Sequence, residues 1–208
     1  LIATPFALGS AIFMIEIAPK FGEKFYRPIV EIFAGIPSVV YGLVGMIVLV
    51  PAIREMFDLS SGASLLAAII VLAIMILPTV INISESSIRA VPREMRSASL
   101  ALGASKIQTI FKVVLPVARS GIMSAIVLGV GRAIGEAMAI TLVSGSSVNL
   151  PLPFNSVRFL TTAIVAEMGY AADEHRQVLF TIGLILFFFI MVVNTVFAKL
   201  LSTNEKEK

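Results

Sequence analysis

The sequence predicts an all-α fold, a polytopic transmembrane helical bundle of about five spans. Two observations predict it. Hydrophobic residues make up 58% of the 208 positions and mean hydropathy is +0.99, a composition that belongs to integral membrane proteins. The apolar residues also fall into runs of the length that crosses a hydrocarbon core, separated by short charged segments. There is no cysteine, so no disulfide framework or thiolate site enters. The lipid bilayer is the expected surroundings, and no nucleic-acid partner is expected.

Leu1 to Ala18 is apolar except for Glu16 and reads as a span or the end of one. Pro5 and Gly9 are tolerable there if neighbours satisfy the backbone. The chain opens on Leu, inside an apolar run and without a signal peptide, so it reads as N-terminally incomplete. Pro19–Arg27 is expected to be a short polar loop. A second span covers about Pro28 to Ile53, with Glu31 near its start and a kink at Pro37. Gly35, Ser38, Gly42 and Gly45 recur at steps of three and four and share a helical face. Small residues on one face let transmembrane helices approach closely, within a subunit or between subunits.

The third span covers about Ala63 to Ser87 and contains Pro78. The fourth, about Ile122 to Val143, contains Arg132 and Glu136. Ser144 to Gln177 is a longer loop whose apolar piece, Phe159 to Met168, is too short to cross. His175 in that loop reads as solvated. The fifth span, Val178 to Ala198, carries no charge, and the tail from Lys199 is polar and expected to fray.

Between the third and fourth spans lies the longest segment that could not sit in lipid, VPREMRSASLALGASKIQTIFKVVLPVARSG from Val91 to Gly121. Five basic residues from Arg93 to Arg119 accompany one acid, Glu94. A helix over about Glu94 to Leu102 should stop at Gly103, a natural left-handed residue. A second helix places Ile107, Ile110, Phe111 and Val114 on one apolar face, and Leu115-Pro116 is expected to end it. Periodicity alone leaves two readings open: a basic amphipathic helix resting on headgroups, or a docking element for a partner. The spacing of the pair Ala98 and Ser99, then Gly103, Val113 and Leu115-Pro116 resembles the EAA loop of ABC importer permeases. That resemblance implies a cytoplasmic coupling helix seated in a cleft of an ATPase subunit, with Glu94, Ser97, Ala98, Ser99, Gly103, Leu115 and Pro116 at the contact. The position of the motif's Glu is held here by Ser97, and Glu94 lies one turn earlier.

Basic residues set orientation. With this loop inside, Lys20, Lys24, Arg27, Lys199, Lys206 and Lys208 also fall inside, and only Arg54, Arg158 and Arg176 outside. The expected organisation is one transmembrane domain over 1–208, with a cytoplasmic loop at 89–119, an extracytoplasmic loop at 144–177 and a cytoplasmic C-terminus.

Arg132 and Glu136 stand four apart and, on one continuous helix, can pair. Gly121, Ala125, Gly129, Arg132 and Glu136 then fall within a sector of about 80°. A central arginine costs about 2.5–3.5 kcal/mol on insertion scales, so such a residue marks a pathway or ties helices together. Gly129-x-Gly-x-x-x-Gly135 departs from a dinucleotide loop by one residue and follows no strand, and no GxxxxGK[ST] phosphate loop occurs.

Gly35-Ile-Pro-Ser-Val-Val-Tyr-Gly42 and Gly131-Arg-Ala-Ile-Gly-Glu-Ala-Met-Ala-Ile140 resemble the signatures of phosphate ABC transporter permeases, the PstC-type more than the PstA-type. The resemblance covers nearly the whole chain, although family members carry a further N-terminal helix. It implies a permease subunit, not an enzyme, in a bacterial or archaeal cytoplasmic (inner) membrane. The implied partners are a homologous PstA-type permease, two ATPase subunits and an extracytoplasmic phosphate-binding protein. This chain is expected to bind no cofactor, since ATP and Mg belong to the ATPase. Two rival readings stand beside it: a permease for another oxyanion such as molybdate, and an ion-coupled secondary carrier or channel in which Arg132 and Glu136 relay charge.

Overall fold

Helix makes up most of residues 2–206, the part of the chain that the computed structural model describes, with the longest non-helical stretch at 145–159. Leu1, the expected start of the first span, and Lys208 of the basic tail lie outside it. We number the helices α1 (Ala3–Ile17), α2 (residues 19–35), α3 (Ser38–Met56), α4 (Leu65–Arg89), α5 (Arg93–Ala101), α6 (Lys106–Gly135), α7 (Met138–Ser144), α8 (Leu160–Glu167) and α9 (Asp173–Lys206). Extended pairing among the described residues is limited to an isolated bridge between Gly145 and Val157. Among the described residues, four helices, α3, α4, α6 and α9, are long and apolar enough to cross a membrane, and α1 is a shorter apolar helix.

Several boundaries differ from the sequence reading, each for a local reason. Pro19–Arg27 is helical, because Pro19 occupies a first-turn position where its missing N–H costs nothing. The second span is two helices, with a break at Ile36 and Pro37. Pro37 has ψ of 143°, and the residue ahead of a proline is pushed out of the helical region. Pro116, by contrast, does not end a helix. The turn Ile110–Val114 is π-helical, and the widened turn lets α6 run on through Leu115 and Pro116. The fourth span therefore begins near Lys106 and ends at Gly135, well before Val143. The last helix continues beyond Lys199 to Lys206.

The chain forms two compact units. The first comprises the chain up to Gly35, Ile76–Val130 and the end of α9; the second comprises Ile36–Met75 and Gly131–Thr195. The core of the first joins Ala11, Ile88, Val91, Val114, Ala118 and Ile122. Gly121 lies against Ser87, and a Cβ on Gly129 would meet Val80 at 2.8 Å, so small residues let α6 approach α4 closely there. The core of the second joins Ile53, Ala67, Ala68, Val71, Ala139, Ile140 and Val143. A Cβ on Gly42 would lie 2.6 Å from the Ala139 Cα, and one on Gly45 2.6 Å from Val71 Cγ2. Gly42 thus seats α3 on α7, and Gly45 seats it against both α4 and, through Val143, α7. Gly35 ends α2 before the break and has open space around it, and Pro37 and Ser38 open α3.

Candidate functional site

The element between the two long helices of the first unit is built from backbone signals. Pro92 precedes α5, and Leu102 and Gly103 close it by donating N–H bonds to the Ala98 and Leu100 carbonyls. Gly103 has φ of +84°, the left-handed conformation that glycine adopts without a Cβ penalty. Ser105 then caps α6: its hydroxyl accepts from the Gln108 N–H, and the Gln108 carboxamide accepts from the Ser105 N–H. The Ser99 and Thr109 hydroxyls, 2.9 Å apart, tie the two arms together.

The apolar stripe expected on the second arm divides. Ile110 and Val114 are buried, whereas Ile107 and Phe111 are 69% and 62% exposed. The π turn from Ile110 widens the angle between Phe111 and Val114, whereas Ile107 precedes it in the first turn of the helix. With Leu100 and Leu102, the exposed pair leaves a run of large apolar side chains uncovered on this element. Glu94, Ser97, Ala98, Gly103 and Pro116 are also exposed, while Ser99 and Leu115 are half-buried.

A charge network beneath α5 fastens it to the rest of the first unit. Arg96 bonds the Glu16 carboxylate of α1 at 3.0 Å and also donates to the Val91 and Ile88 carbonyls. Glu85, whose side chain is 7% exposed, pairs with Arg89 at 3.0 Å and lies 3.9 Å from Arg27. Arg89 reaches Glu23 at 2.7 Å. Its hydrogen bond and positive charge hold the Glu23 carboxyl below the usual carboxylate range. The pair thus stabilises at neutral pH and is lost as pH falls through that lowered value. Sequence analysis assigned no partner to Glu16 or Glu85. The available signal was the i, i+4 spacing of Glu85 and Arg89, and the rule that an acid within an apolar run needs a partner. Glu16, Glu23, Arg89, Arg93, Arg96 and Ser97, with three apolar neighbours, line a cavity of about 430 Å³.

In the second unit, Arg132 and Glu136 do not share a continuous helix. The α6 helix stops at Gly135, and Glu136 and Ala137 lie outside helical structure. The Glu136 carboxylate turns forward and accepts the Ala139 N–H at 3.0 Å, capping α7, while its carbonyl accepts the Thr161 hydroxyl at 3.1 Å. A carboxylate can do this because the first N–H groups of a helix lack internal partners. Arg132 is exposed in the last turn of α6. Beside the break, a mainly apolar cavity of about 260 Å³ is lined by Glu136, Ile140, Leu65, Leu72, Phe159 and their neighbours. His175, read from sequence as a solvated loop residue, sits in the first turn of α9 and bonds Glu167 at 2.8 Å. Arg158 pairs with the same carboxylate.

The sequence profile of the family described as "Binding-protein-dependent transport system inner membrane component" matches residues 3–204. The chain belongs to that family. It is thus a multi-pass inner-membrane subunit of the permease kind. It is 44% identical over 200 residues to the probable ABC transporter permease protein YqgH of Bacillus subtilis (strain 168), covering 93% of this chain and 65% of that one. It is 33% identical to the phosphate transport system permease protein PstC of Pasteurella multocida (strain Pm70), covering 100% of this chain and 71% of that one. Among solved structures, a chain of the MetNI methionine ABC transporter in an inward-facing conformation superposes with a TM-score of 0.69 at 21% identity. That match covers 97% of this chain and 91% of the other, so the permease fold expected from the sequence is the one observed.

Proposed function

We propose that the chain is the membrane-spanning subunit of an ATP-driven importer for inorganic phosphate, forming half of the translocation pathway. The observation that supports this most directly is its likeness to proteins named for phosphate transport over 99–100% of its length. In this reading the second half of the pathway is a homologous PstA-type permease. Two ATPase subunits and an extracytoplasmic phosphate-binding protein complete the assembly, and ATP and Mg bind to the ATPase, not to this chain.

The 89–119 segment is the coupling element and faces the cytoplasm, with Glu94, Ser97, Ala98, Ser99, Gly103, Leu115 and Pro116 at or beside the ATPase contact. Closure of the ATPase dimer moves the element, and the Arg96–Glu16 pair carries that motion to α1. Arg132, one turn before the helix break, offers a fork of donors suited to an oxyanion. Glu136 beside it moderates that attraction, so that the anion is drawn in without being trapped. The C-terminus is cytoplasmic and the 144–177 segment extracytoplasmic. In a chain without native cysteine, Ser146→Cys then labels from outside, and Lys206→Cys labels only once the membrane is opened.

The test is reconstitution of the four components in proteoliposomes. Phosphate uptake that requires ATP and the binding protein is the expected result. Uptake driven by an ion gradient alone overturns the ATP-driven reading, and transport of molybdate in place of phosphate overturns the substrate.

A further inference from the structure

Three arginines line the cavity beside Ser97, and they are not equivalent. Arg89 is held by Glu23 and Glu85, and Arg96 is held by Glu16. Arg93, exposed in the first turn of α5, has no acidic partner among the described residues. The lining residues therefore carry three positive charges against the two negative charges of Glu16 and Glu23. Ser97 is one turn from Arg93 and shares its face of the helix. At present its hydroxyl donates to the Arg93 carbonyl at 3.1 Å. Leu100, three residues further on, continues the same face and is 50% exposed. Read along α5, this face presents a guanidinium, a hydroxyl over a cavity, and an apolar side chain.

We infer that this cavity receives a carboxylate side chain of the ATPase subunit, so that the ionic contact of the coupling element runs from arginine in the membrane chain to acid in its partner. The inference rests on the coupling reading of this element. Charge complementarity selects the occupant: a guanidinium binds a carboxylate through parallel N–H bonds, and the Ser97 hydroxyl can rotate to add a third. A protein groove with an acid at one end and an apolar wall beyond it also covers Leu100, which a free anion does not. A glutamate at position 97 would reverse this arrangement. It would fill the cavity, pair with Arg93 across one helical turn, and present an acid to an acid.

The experiment uses the full chain coexpressed with its sister permease and ATPase. Ser97→Gln adds bulk without charge, and Ser97→Glu adds both. Ser97→Glu is expected to weaken ATPase copurification about tenfold relative to Ser97→Gln, because like charges brought together at an interface oppose binding. Arg93→Lys supplies a primary amine at the same place, and carbodiimide should then join position 93 to an aspartate or glutamate of the ATPase, located by peptide mapping. Copurification of Ser97→Glu as strong as that of Ser97→Gln, with no link from position 93, overturns the inference while leaving the coupling reading intact. Failure of the unaltered chain to hold the ATPase at all sinks the coupling reading and this inference with it.

Discussion

Glu85 and Glu136 are both acids set in long apolar stretches, and the chain satisfies them in different ways. Glu85 remains inside an unbroken helix, is nearly buried, and is neutralised by Arg89 with Arg27 nearby. Glu136 lies where a helix has stopped, and its carboxylate is given to the backbone N–H of Ala139. The first arrangement closes a network. The second keeps Arg132 on an exposed surface next to an interrupted backbone. Non-helical backbone at membrane depth persists only where protein buries it or it faces a watery cavity. Under the proposed function, the difference separates a charge that holds helices together from one that meets the anion, and each substitution below presses on one side of it.

The largest expected effect is on the seat of α7, the helix that Glu136 caps. Gly42→Val sets a branched side chain against the Ala139 backbone, which cannot swing aside as a side-chain tip could. Overpacking costs about 1–3 kcal/mol where neighbours can yield, and more where they cannot. The variant should fail to accumulate in the membrane or should melt at clearly lower temperature in detergent. Normal abundance and melting would mean that α3 and α7 do not depend on that approach.

Next comes transport. Arg132→Gln removes a positive charge from an exposed site, so protein level should hold, and under the proposed function phosphate uptake should fall at least about a hundredfold, the scale of losing one donor aimed at an oxyanion. Glu136→Gln preserves an acceptor for the Ala139 N–H, so folding should also hold and any change in uptake reports the charge alone. Exchanging the two residues is less informative, because it leaves that N–H without its acceptor. Uptake within twofold of the unaltered chain in Arg132→Gln would move the pathway elsewhere.

On the other side of the comparison, Glu85→Gln weakens the bond to Arg89, which still has Glu23. A loss of about 1–3 kcal/mol in stability is expected, seen as a lower melting temperature, with uptake per molecule nearly unchanged. A large loss of uptake at normal stability would make Glu85 part of the pathway and erase the contrast.

Much of this was legible in the sequence, for physical reasons. Span order followed from apolar length, and the stop of α5 at Gly103 followed from the one residue type that takes φ of +84° without penalty. What was not legible depends on single-residue shifts. A π turn adds one residue per turn with no compositional mark, so spacing could not separate exposed Phe111 from buried Val114. The stop at Gly135 was hidden because an acid four residues after an arginine reads as an ion pair, whether or not the helix continues. The network beneath α5 joins Arg96 to Glu16 across 80 positions, and no local pattern reports a contact of that range.

The smallest effect on stability concerns Gly103, where conformation can be separated from space. No atom lies within 4 Å of a Cβ placed there, so a substitution meets no clash within the chain. What remains is the left-handed backbone, which costs an ordinary residue about 1–2 kcal/mol and asparagine less. Gly103→Asn should therefore leave abundance and ATPase stimulation nearly intact. Gly103→Ala should loosen the turn between α5 and α6 by about 1 kcal/mol, a shift visible as faster amide exchange in residues 101–105. Gly103→Val adds bulk on an exposed surface to the same strain. If the element docks in a partner's groove, Val should abolish ATPase stimulation that Ala only reduces, since Val alone obstructs the approach from outside. Equal stimulation by Ala and Val would mean that no partner surface comes close to Gly103, and the docking face would then have to lie along Ile107 and Phe111 instead.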